Sequence, residues 1–306
     1  MGKYINPFTD AGFKRIFGQE INKDLIIDFL NTLLSGERVI TDLKFLDKEL
    51  IGDYGDDRSL IYDIFCKTDT GESIIVEMQN NAHRNFKERA VYYMSKGIVR
   101  QALKGKGWGY DIKAVYGVFF MNFTQKGFRG KFRTDVTLAD MDDGEPFSDK
   151  IRMVFLQLPL FGKEADDCEE YFDKWIYVLK NMESLKRMPW RVRMKALERL
   201  LSVADKANMT RKEQVAYEHS LKVYRDNLVT MGYAHDEGFS KGFVKGEEKG
   251  HVKGLAEGLA MGEAKGMAEG SLQRALEIAR NMKASGMDIE QISRITGLSE
   301  EEINQI

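Results

Sequence analysis

The hydrophobic pattern changes its period several times along the first half of the chain. In some stretches apolar residues recur every three or four positions, as in helices. Others are short, β-branched and aromatic, as in strands. Thr9 and Asn22 are suited to cap the first two helices, and Gly18 and Gly36 to end them. Helices are predicted over residues 9–17, 22–36 and 83–104, and strands over 39–50, 60–68, 72–79, 114–123, 131–137 and 151–158.

This mixture of helices and strands predicts an α/β core. The pattern becomes helical from residue 167 onward, and 306 residues with 43% hydrophobic side chains suffice for one core of about 200 residues plus an appendage. Four parts are predicted: a core domain at 1–160, a helical domain at 161–232, a glycine-rich helical arm at 233–271, and a small helix-turn-helix-like tail at 272–306.

The hairpin predicted over residues 60–79 carries the candidate chemistry. A three-residue loop that ends with Gly71 in the left-handed conformation is a common hairpin turn. Its register places Asp63 across from Glu77, and because side chains alternate along a strand, Gln79 projects from the same face. The sequence therefore predicts two carboxylates and an amide on one surface.

Two facing carboxylates at about 5 Å repel each other, and a divalent cation would offset that repulsion. Mg²⁺ prefers carboxylate oxygens, can activate water and can stabilise charge on a phosphodiester. The alternative is that both carboxylates are solvated on an open sheet face. Ile61, Phe65 and Ile75 are expected to share this face, which favours a covered site where unpaired carboxylates are costly.

The pattern D-x13-E-x-Q across this hairpin, after two helices, resembles the PD-(D/E)XK nuclease superfamily. More narrowly, residues 1–160 resemble the recombination-promoting nuclease (Rpn) family of nucleases and transposases. The matching stretches are FTDAGFKRIFG at 8–18, DLIIDFLNTLL at 24–34, YDIFCKTDTGESIIVEMQ at 62–79, RAVYYMSK at 89–96 and KAVYGVFFMNF at 113–123.

The resemblance implies a restriction-endonuclease-like core, in which helices flank a mixed central sheet, and a helical C-terminal region. It also implies DNA cleavage with Mg²⁺ or another divalent cation in the recombination of mobile elements. By the family pattern, Asp63 and Glu77 are metal ligands, and Asp10 in the first helix is a further acidic position.

Gln79 stands where the wider superfamily usually has lysine. Glutamine cannot act as a cationic electrophile or as a general base, so the electrostatic role of the lysine is left unfilled. Lys14, Arg58 and Arg89 are the candidates to fill it. The alternative is a catalytically inert protein on the same fold.

Two basic segments suggest where DNA could bind in a chain whose net charge is only −2. Residues 83–106, which include the predicted helix after Gln79, contain seven basic residues and one acid, Glu88, and residues 126–133 add Lys126, Arg129, Lys131 and Arg133 without an acid. The alternative for the helix is a solvated face. The basic residues at 83–106 are Arg84, Lys87, Arg89, Lys96, Arg100, Lys104 and Lys106; the first five, together with Lys14, are the predicted DNA-binding residues.

Glycine recurs every four residues between residues 238 and 270. Each glycine costs a helix about 1 kcal/mol relative to alanine, but small residues at this spacing permit close helix–helix approach. A helical arm that forms homo-oligomers is therefore predicted, and a low-complexity spacer is the alternative. In the tail, breaks are expected at Gly286 and Gly297. Because the last helix begins with three acids, a protein contact is favoured over DNA reading.

The remaining composition excludes several classes of protein. Cys66 and Cys168 form no metal-ligand motif and are expected to be reduced, which suggests a cytoplasmic location. No signal peptide is expected from residues 1–10, which lack an apolar core, and no membrane span is expected, because no window of about 18 apolar residues occurs. The predicted function is that of a metal-dependent DNA endonuclease. The alternatives are an inactive DNA-binding module and an oligomeric scaffold whose function lies in the glycine repeat.

Overall fold

Strands and helices alternate in the first part of the fold, and helices alone follow. The computed structural model describes residues 2–47, 49–50, 60–102, 109–128, 130–191 and 194–306. Its helices are α1 Asp10–Phe17, α2 Lys23–Leu33, α3 Phe86–Val99, α4 Tyr171–Asn181, α5 Lys195–Ala204, α6 Arg211–Ala284, α7 Ile289–Thr296 and α8 Glu300–Asn304. Its strands are β1 Leu43–Phe45, β2 Glu49–Leu50, β3 Leu60–Ile61, β4 Ile64–Thr68, β5 Ser73–Gln79, β6 Val115–Met121, β7 Arg133–Ala139 and β8 Pro146–Gln157.

A six-stranded sheet with the order β1-β4-β5-β6-β8-β7 forms the centre of the fold. Its middle strands β5, β6 and β8 are parallel, whereas β1, β4 and β7 join in antiparallel fashion. Strands β5 and β6 and the last five residues of β8 are almost wholly buried, as expected where helices cover both faces of a sheet. The predicted α/β fold with a mixed central sheet is confirmed.

Alternate residues of β5 supply two separate hydrophobic cores. Ile74 and Val76 pack with residues of α1, α2, α4 and α5 on one face of the sheet. Ile75 packs with residues of α3, such as Phe86 and Met94, on the other face. Side chains alternate between the two faces along a strand. Glu77 and Gln79 therefore lie on the same face of the sheet as Ile75, the face that α3 covers.

The strands before the hairpin differ from the prediction. The strand expected over 39–50 is divided: β1 pairs with β4 in the main sheet, whereas β2 pairs with β3 in a separate two-stranded sheet. The strand expected over 60–68 is likewise divided into β3 and β4, with a bend at Asp63. At the other edge, β8 begins at Pro146 rather than at 151, because it pairs with the whole of β7.

The starts of the first two helices show why one predicted cap forms and the other does not. The side chain of Thr9 accepts a hydrogen bond from the Gly12 N–H, as predicted for the cap of α1. The prediction for Asn22 was wrong, because a short 3₁₀ helix precedes α2 and the Asn22 amide instead donates to the Arg15 carbonyl at 2.8 Å. Asn22 therefore ties the end of α1 to the start of α2.

The helices after residue 160 divide between two compact units, one up to Asp226 and the other from Asn227. In the first unit, α4 and α5 place Trp175 and Leu200 in the same core as Phe17 and Leu25. The four-part division expected from the sequence, with a boundary at residue 160, stays a prediction.

In the second unit, the end of α6 packs with α7 and α8 around Ala279, Ile292, Leu298 and Ile303. Gly286 and Gly297 have φ values of +79° and +74°, which confirms the breaks expected there. The glycine repeat is helical and belongs to α6. None of the helices that the structure describes is long and apolar enough to cross a membrane.

Candidate active site

The turn of the β4–β5 hairpin has the predicted geometry. Gly71 has a φ of +97°, and the Thr68 N–H donates to the Glu72 carbonyl at 2.9 Å. Along the ladder, Phe65 pairs with Ile75, which is the register expected from the three-residue loop. Continued to the far end, this register brings Asp63 and Glu77 together.

Two hydrogen bonds from backbone to side chain, rather than ladder pairing, join the segments that carry Asp63 and Glu77. The Asp63 N–H donates to Glu77 Oε1 at 3.0 Å, and the Met78 N–H donates to Asp63 Oδ2 at 2.8 Å. The expectation that Asp63 lies within the strand was therefore wrong, because Asp63 sits in a bend just before β4. These bonds fix both carboxylates at one end of the hairpin.

The bend also changes which neighbours cover the site. Ile61, expected on this face, is 59% exposed, whereas Tyr62 is fully buried. Tyr62 stacks on Phe65 with ring centroids 5.1 Å apart, in the core that lies under α3. The bend at Asp63 thus places Tyr62 where a regular strand would have placed Ile61. The face is covered, but by Tyr62 rather than by Ile61.

Burial makes this pair of carboxylates electrostatically unfavourable. Glu77 is only 2% exposed. Burial and the neighbouring Asp63 carboxylate raise the pKa of Glu77 to about 8, although the Asp63 N–H, Arg89 and Lys14 act to lower it. Burial also raises the pKa of Asp63, against the lowering effects of the Met78 N–H and of Lys14. Both groups can be ionised at neutral pH only if further positive charge is nearby.

Helix α1 contributes an ion pair to the electrostatics of the site. Lys14 Nζ lies 2.6 Å from Asp10 Oδ1, and both charges act on the pKa of Asp63, in opposite directions. Asn80, directly after β5, donates from Nδ2 to the Phe8 carbonyl at 2.8 Å. This bond connects the end of β5 to the segment that precedes α1.

Helix α3 contributes Arg89, which contacts both functional residues at the end of β5. With the amide of Gln79 oriented so that its oxygen faces α3, Gln79 Oε1 accepts hydrogen bonds from Arg89 Nη2 at 3.0 Å and Nη1 at 3.1 Å. Arg89 Nη2 also lies 3.8 Å from Glu77 Oε2. Arg89 Nε donates to the Tyr93 hydroxyl at 2.9 Å, one helical turn further along.

The other predicted DNA-binding residues are distributed along α3 and just before it. Arg84 is exposed in the turn before the helix, and Lys87 Nζ donates to the Gly127 carbonyl at 3.3 Å. Further along, Lys96 Nζ lies over the ring of Tyr92, and Arg100 Nη1 donates to the Asp47 carbonyl at 3.0 Å. The helix runs back along the sheet, since Gly97 lies against Val115 at the start of β6. Arg89 contacts the carboxylate end directly, while Lys96 and Arg100 lie beyond it along α3.

Four basic residues named from the sequence, Arg58, Lys104, Lys106 and Arg129, lie outside the described residues. Sequence reasoning missed Tyr93 and Asn80. The spacing of Arg89 and Tyr93, four residues apart on a helix, was a usable signal for the first. Asn80 gave no signal, because its partner is a backbone carbonyl 72 residues away in the chain.

The chemistry of the site fits a hard divalent cation. These two bonds engage one oxygen of each carboxylate, so Asp63 Oδ1 and Glu77 Oε2 are the oxygens that could face a cation. Among the described residues, no group of three or more His, Cys, Asp or Glu side chains is arranged around a metal position. Mg²⁺ commonly uses only one or two carboxylates and completes its coordination with water and substrate phosphate.

Two family models match the chain. The model described as PD-(D/E)XK nuclease family transposase matches residues 7–234, which is more than half of the chain and includes the whole candidate site. The model described as the C-terminal HTH domain of the Rpn/YhgA-like nuclease family matches residues 272–306, which confirms the helix-turn-helix-like tail. No curated protein and no solved structure matches the chain.

Proposed function

The chain belongs to the PD-(D/E)XK nuclease family transposases, as the resemblance to the Rpn family predicted, and on this basis we propose that it is a Mg²⁺-dependent DNA endonuclease. Asp63 and Glu77 hold the cation, and Gln79 and Asp10 complete the catalytic site. A role in the recombination of mobile elements and a cytoplasmic location follow from the sequence and the resemblance, and both stay predictions.

The observation that carries the proposal is the buried pair of Asp63 and Glu77. A buried Glu77 carboxylate and a half-buried Asp63 carboxylate, each fixed by a backbone N–H of the other's segment, cost folding free energy unless they serve a ligand. The raised pKa of Glu77 expresses this cost. A purely structural site would be better filled by apolar side chains, as the neighbouring positions of the same face are.

Each group of site residues has a separate role in the proposed reaction. Asp63 and Glu77 would hold the cation beside the phosphodiester; when bound, Mg²⁺ would supply activation of water and positive charge against the phosphate. The Asp10–Lys14 pair lies on the side of α1, where Lys14 adds positive charge beside Asp63. The covering residues Tyr62 and Phe65 limit access of bulk water, which strengthens these electrostatic interactions.

The surface beside the carboxylates is suited to a phosphate backbone. We propose that Lys14, Arg84, Lys87 and Arg89 contact the strand that is cleaved, and that Lys96 and Arg100 extend this contact along α3. Lysine and arginine contacts to phosphate provide affinity without reading the base sequence. Each such contact makes binding weaker as the salt concentration rises.

Covalently closed circular DNA tests the endonuclease proposal because it has no ends. The wild-type protein is expected to nick the circle in Mg²⁺ and to leave it intact in excess chelator. Under Ca²⁺, binding to a labelled duplex should be measurable by anisotropy. Binding without nicking in Mg²⁺ or Mn²⁺ would establish the alternative, an inert DNA-binding protein on the same fold.

We also propose that two copies associate through the glycine repeat of α6. A Cβ atom added at any repeat glycine from Gly238 to Gly270 meets nothing within 4 Å, so this surface is open to a partner helix. Large apolar side chains beside the glycines are exposed, among them Phe243 at 65% and Leu259 at 62%. A second copy of the same helix offers matching small residues, and close packing would offset the cost of so many glycines.

A further inference from the structure

The neighbours of Gln79 indicate why an uncharged residue stands where related nucleases usually have lysine. With the amide oriented so that its oxygen faces α3, Gln79 accepts hydrogen bonds from both terminal nitrogens of Arg89, at 3.0 and 3.1 Å. Glutamine is long enough to reach the guanidinium and offers an oxygen rather than a competing cation. The end of β5 therefore holds a positive charge that originates from α3.

The geometry points to Arg89 as the catalytic cation of this site, with Gln79 as the positioning residue that holds it. This inference rests on the proposed nuclease function and deepens it. In this assignment the Arg89 guanidinium contacts the scissile phosphate and stabilises the charge that develops on it during cleavage. Gln79 contacts the guanidinium and not the reacting atoms.

The bonding of Arg89 leaves it able to bind a phosphate. Of the five N–H groups of a guanidinium, one on Nε is used by the Tyr93 hydroxyl and one on each terminal nitrogen by Gln79. An N–H on each terminal nitrogen remains for phosphate oxygens. The Arg89 side chain is 37% exposed, so the group can be reached from solvent while its stem is packed.

Arg89 is better placed for this role than Lys14, the other described candidate. Lys14 is paired with Asp10 at 2.6 Å, and that carboxylate would compete with a phosphate for its ammonium group. Arg89 instead lies 3.8 Å from Glu77, a proposed metal ligand, so a phosphate bound to the cation would lie beside it. The guanidinium also stays charged and is more weakly hydrated than an ammonium group, which favours direct contact with a phosphate.

In this assignment two residues together take the place of the single lysine: Arg89 provides the positive charge, and Gln79 holds it in position. A lysine at 79 would place a second positive charge against Arg89 and remove the acceptor that orients it. With Arg89 removed, however, a lysine at 79 would return a cation to the end of β5. The two substitutions should thus be harmful singly and compensating together.

Single-turnover nicking of closed circular DNA in saturating Mg²⁺ tests this assignment. We expect Arg89→Gln to slow nicking by about 10²–10³-fold, the usual effect of losing one donor to a developing oxyanion. Gln79→Lys should also be slow, and Gln79→Lys/Arg89→Gln should recover to within about tenfold of wild type. The matched control, Arg211→Gln at the exposed start of α6, should nick at the wild-type rate.

Duplex binding in Ca²⁺ separates catalysis from simple affinity. If Arg89 acts on the transition state, Arg89→Gln should lose far more rate than affinity: duplex binding should weaken by no more than about tenfold, and the variant should still unfold cooperatively on heating. A rate loss matched by an equal affinity loss overturns the assignment, and so does nicking by Arg89→Gln within threefold of wild type. A folded double variant that stays more than a hundredfold slow also overturns it.

The nicking assay also distinguishes failure of the proposed nuclease function from failure of the role proposed for Arg89. A wild type without Mg²⁺-dependent nicking overturns the proposed function and the role of Arg89 with it. An active wild type together with an active Arg89→Gln overturns the role of Arg89 alone.

Discussion

At the scale of single residues, the site is defined by how Asp63 and Glu77 are held. Each carboxylate accepts a backbone N–H from the segment that carries the other, at 3.0 and 2.8 Å. Such bonds stabilise the ionised forms, but burial outweighs them, and the pKa of Glu77 rises to about 8. The protein therefore fixes the geometry of two acids without supplying enough positive charge to ionise both.

This imbalance predicts that the metal-free protein becomes less stable as the pH rises. Between the ordinary pKa of glutamic acid and about 8, the folded state keeps the Glu77 proton whereas the unfolded state has lost it. The free energy of unfolding should therefore be highest below pH 5 and should fall, by on the order of a few kcal/mol, up to pH 8. Urea denaturation in chelator at several pH values measures it.

Glu77→Gln is the control for this pH dependence. The amide does not titrate, so the variant should lose much of the decline between pH 5 and pH 8. An equally steep decline in the variant would show that another group is responsible.

At the scale of elements, the hairpin shows how far its sequence determines its structure. The Asp69-Thr70-Gly71 turn specified the register correctly because few conformations close a three-residue loop. The bend at Asp63 was not predictable, because it depends on hydrogen bonds between side chains and backbone that only form once β5 is in place. The exchange of Ile61 for Tyr62 in the core follows from that bend.

The turn itself yields a stability prediction. Gly71 has a φ of +97°, a conformation that a residue with a Cβ adopts only under strain. Gly71→Ala should lower the free energy of unfolding by about 1–3 kcal/mol. Gly162→Ala is the matched control, because its Cβ would meet nothing within 4 Å, and it should be close to neutral. Equal effects of the two substitutions in chemical denaturation would refute this explanation.

Long-range packing limited the prediction of other elements. The apolar stripe of α4 indicated a helix, but its sequence did not show that Trp175 packs beside Phe17 and Phe29 of α1 and α2. The strand expected over 39–50 was divided because β1 and β2 pair with different strands. The contact of Arg89 with Gln79 likewise depends on how α3 lies over the sheet, so the sequence indicated Arg89 only as one of three candidates for the missing cation.

At the scale of the whole molecule, the chain combines a domain that carries the candidate site with a second unit that contains most of α6 and the helix-turn-helix tail. The tail is a small three-helix arrangement, and the match to an HTH domain agrees with a DNA-related function. Its contact with a protein rather than with DNA, favoured by Glu300, Glu301 and Glu302, stays a prediction.

The proposed self-association yields a prediction for the full-length chain. The combined substitution Gly250→Gln, Gly254→Gln and Gly258→Gln should raise helix content, since each glycine costs about 1 kcal/mol, and should also disrupt close packing between copies. In sedimentation experiments the wild type should be an oligomer, and the variant should have a lower mass. A monomeric wild type, or a variant of unchanged mass, would favour the spacer interpretation.

The most direct test of the central claim is Mg²⁺-dependent nicking by the wild type and by Asp63→Asn, compared in one assay on closed circular DNA. Asparagine keeps the size of the side chain but removes the charge that holds the cation, so nicking should fall at least a hundredfold. Asp111→Asn, at an exposed position before β6, should nick like the wild type. Equal nicking by Asp63→Asn and the wild type would contradict the account.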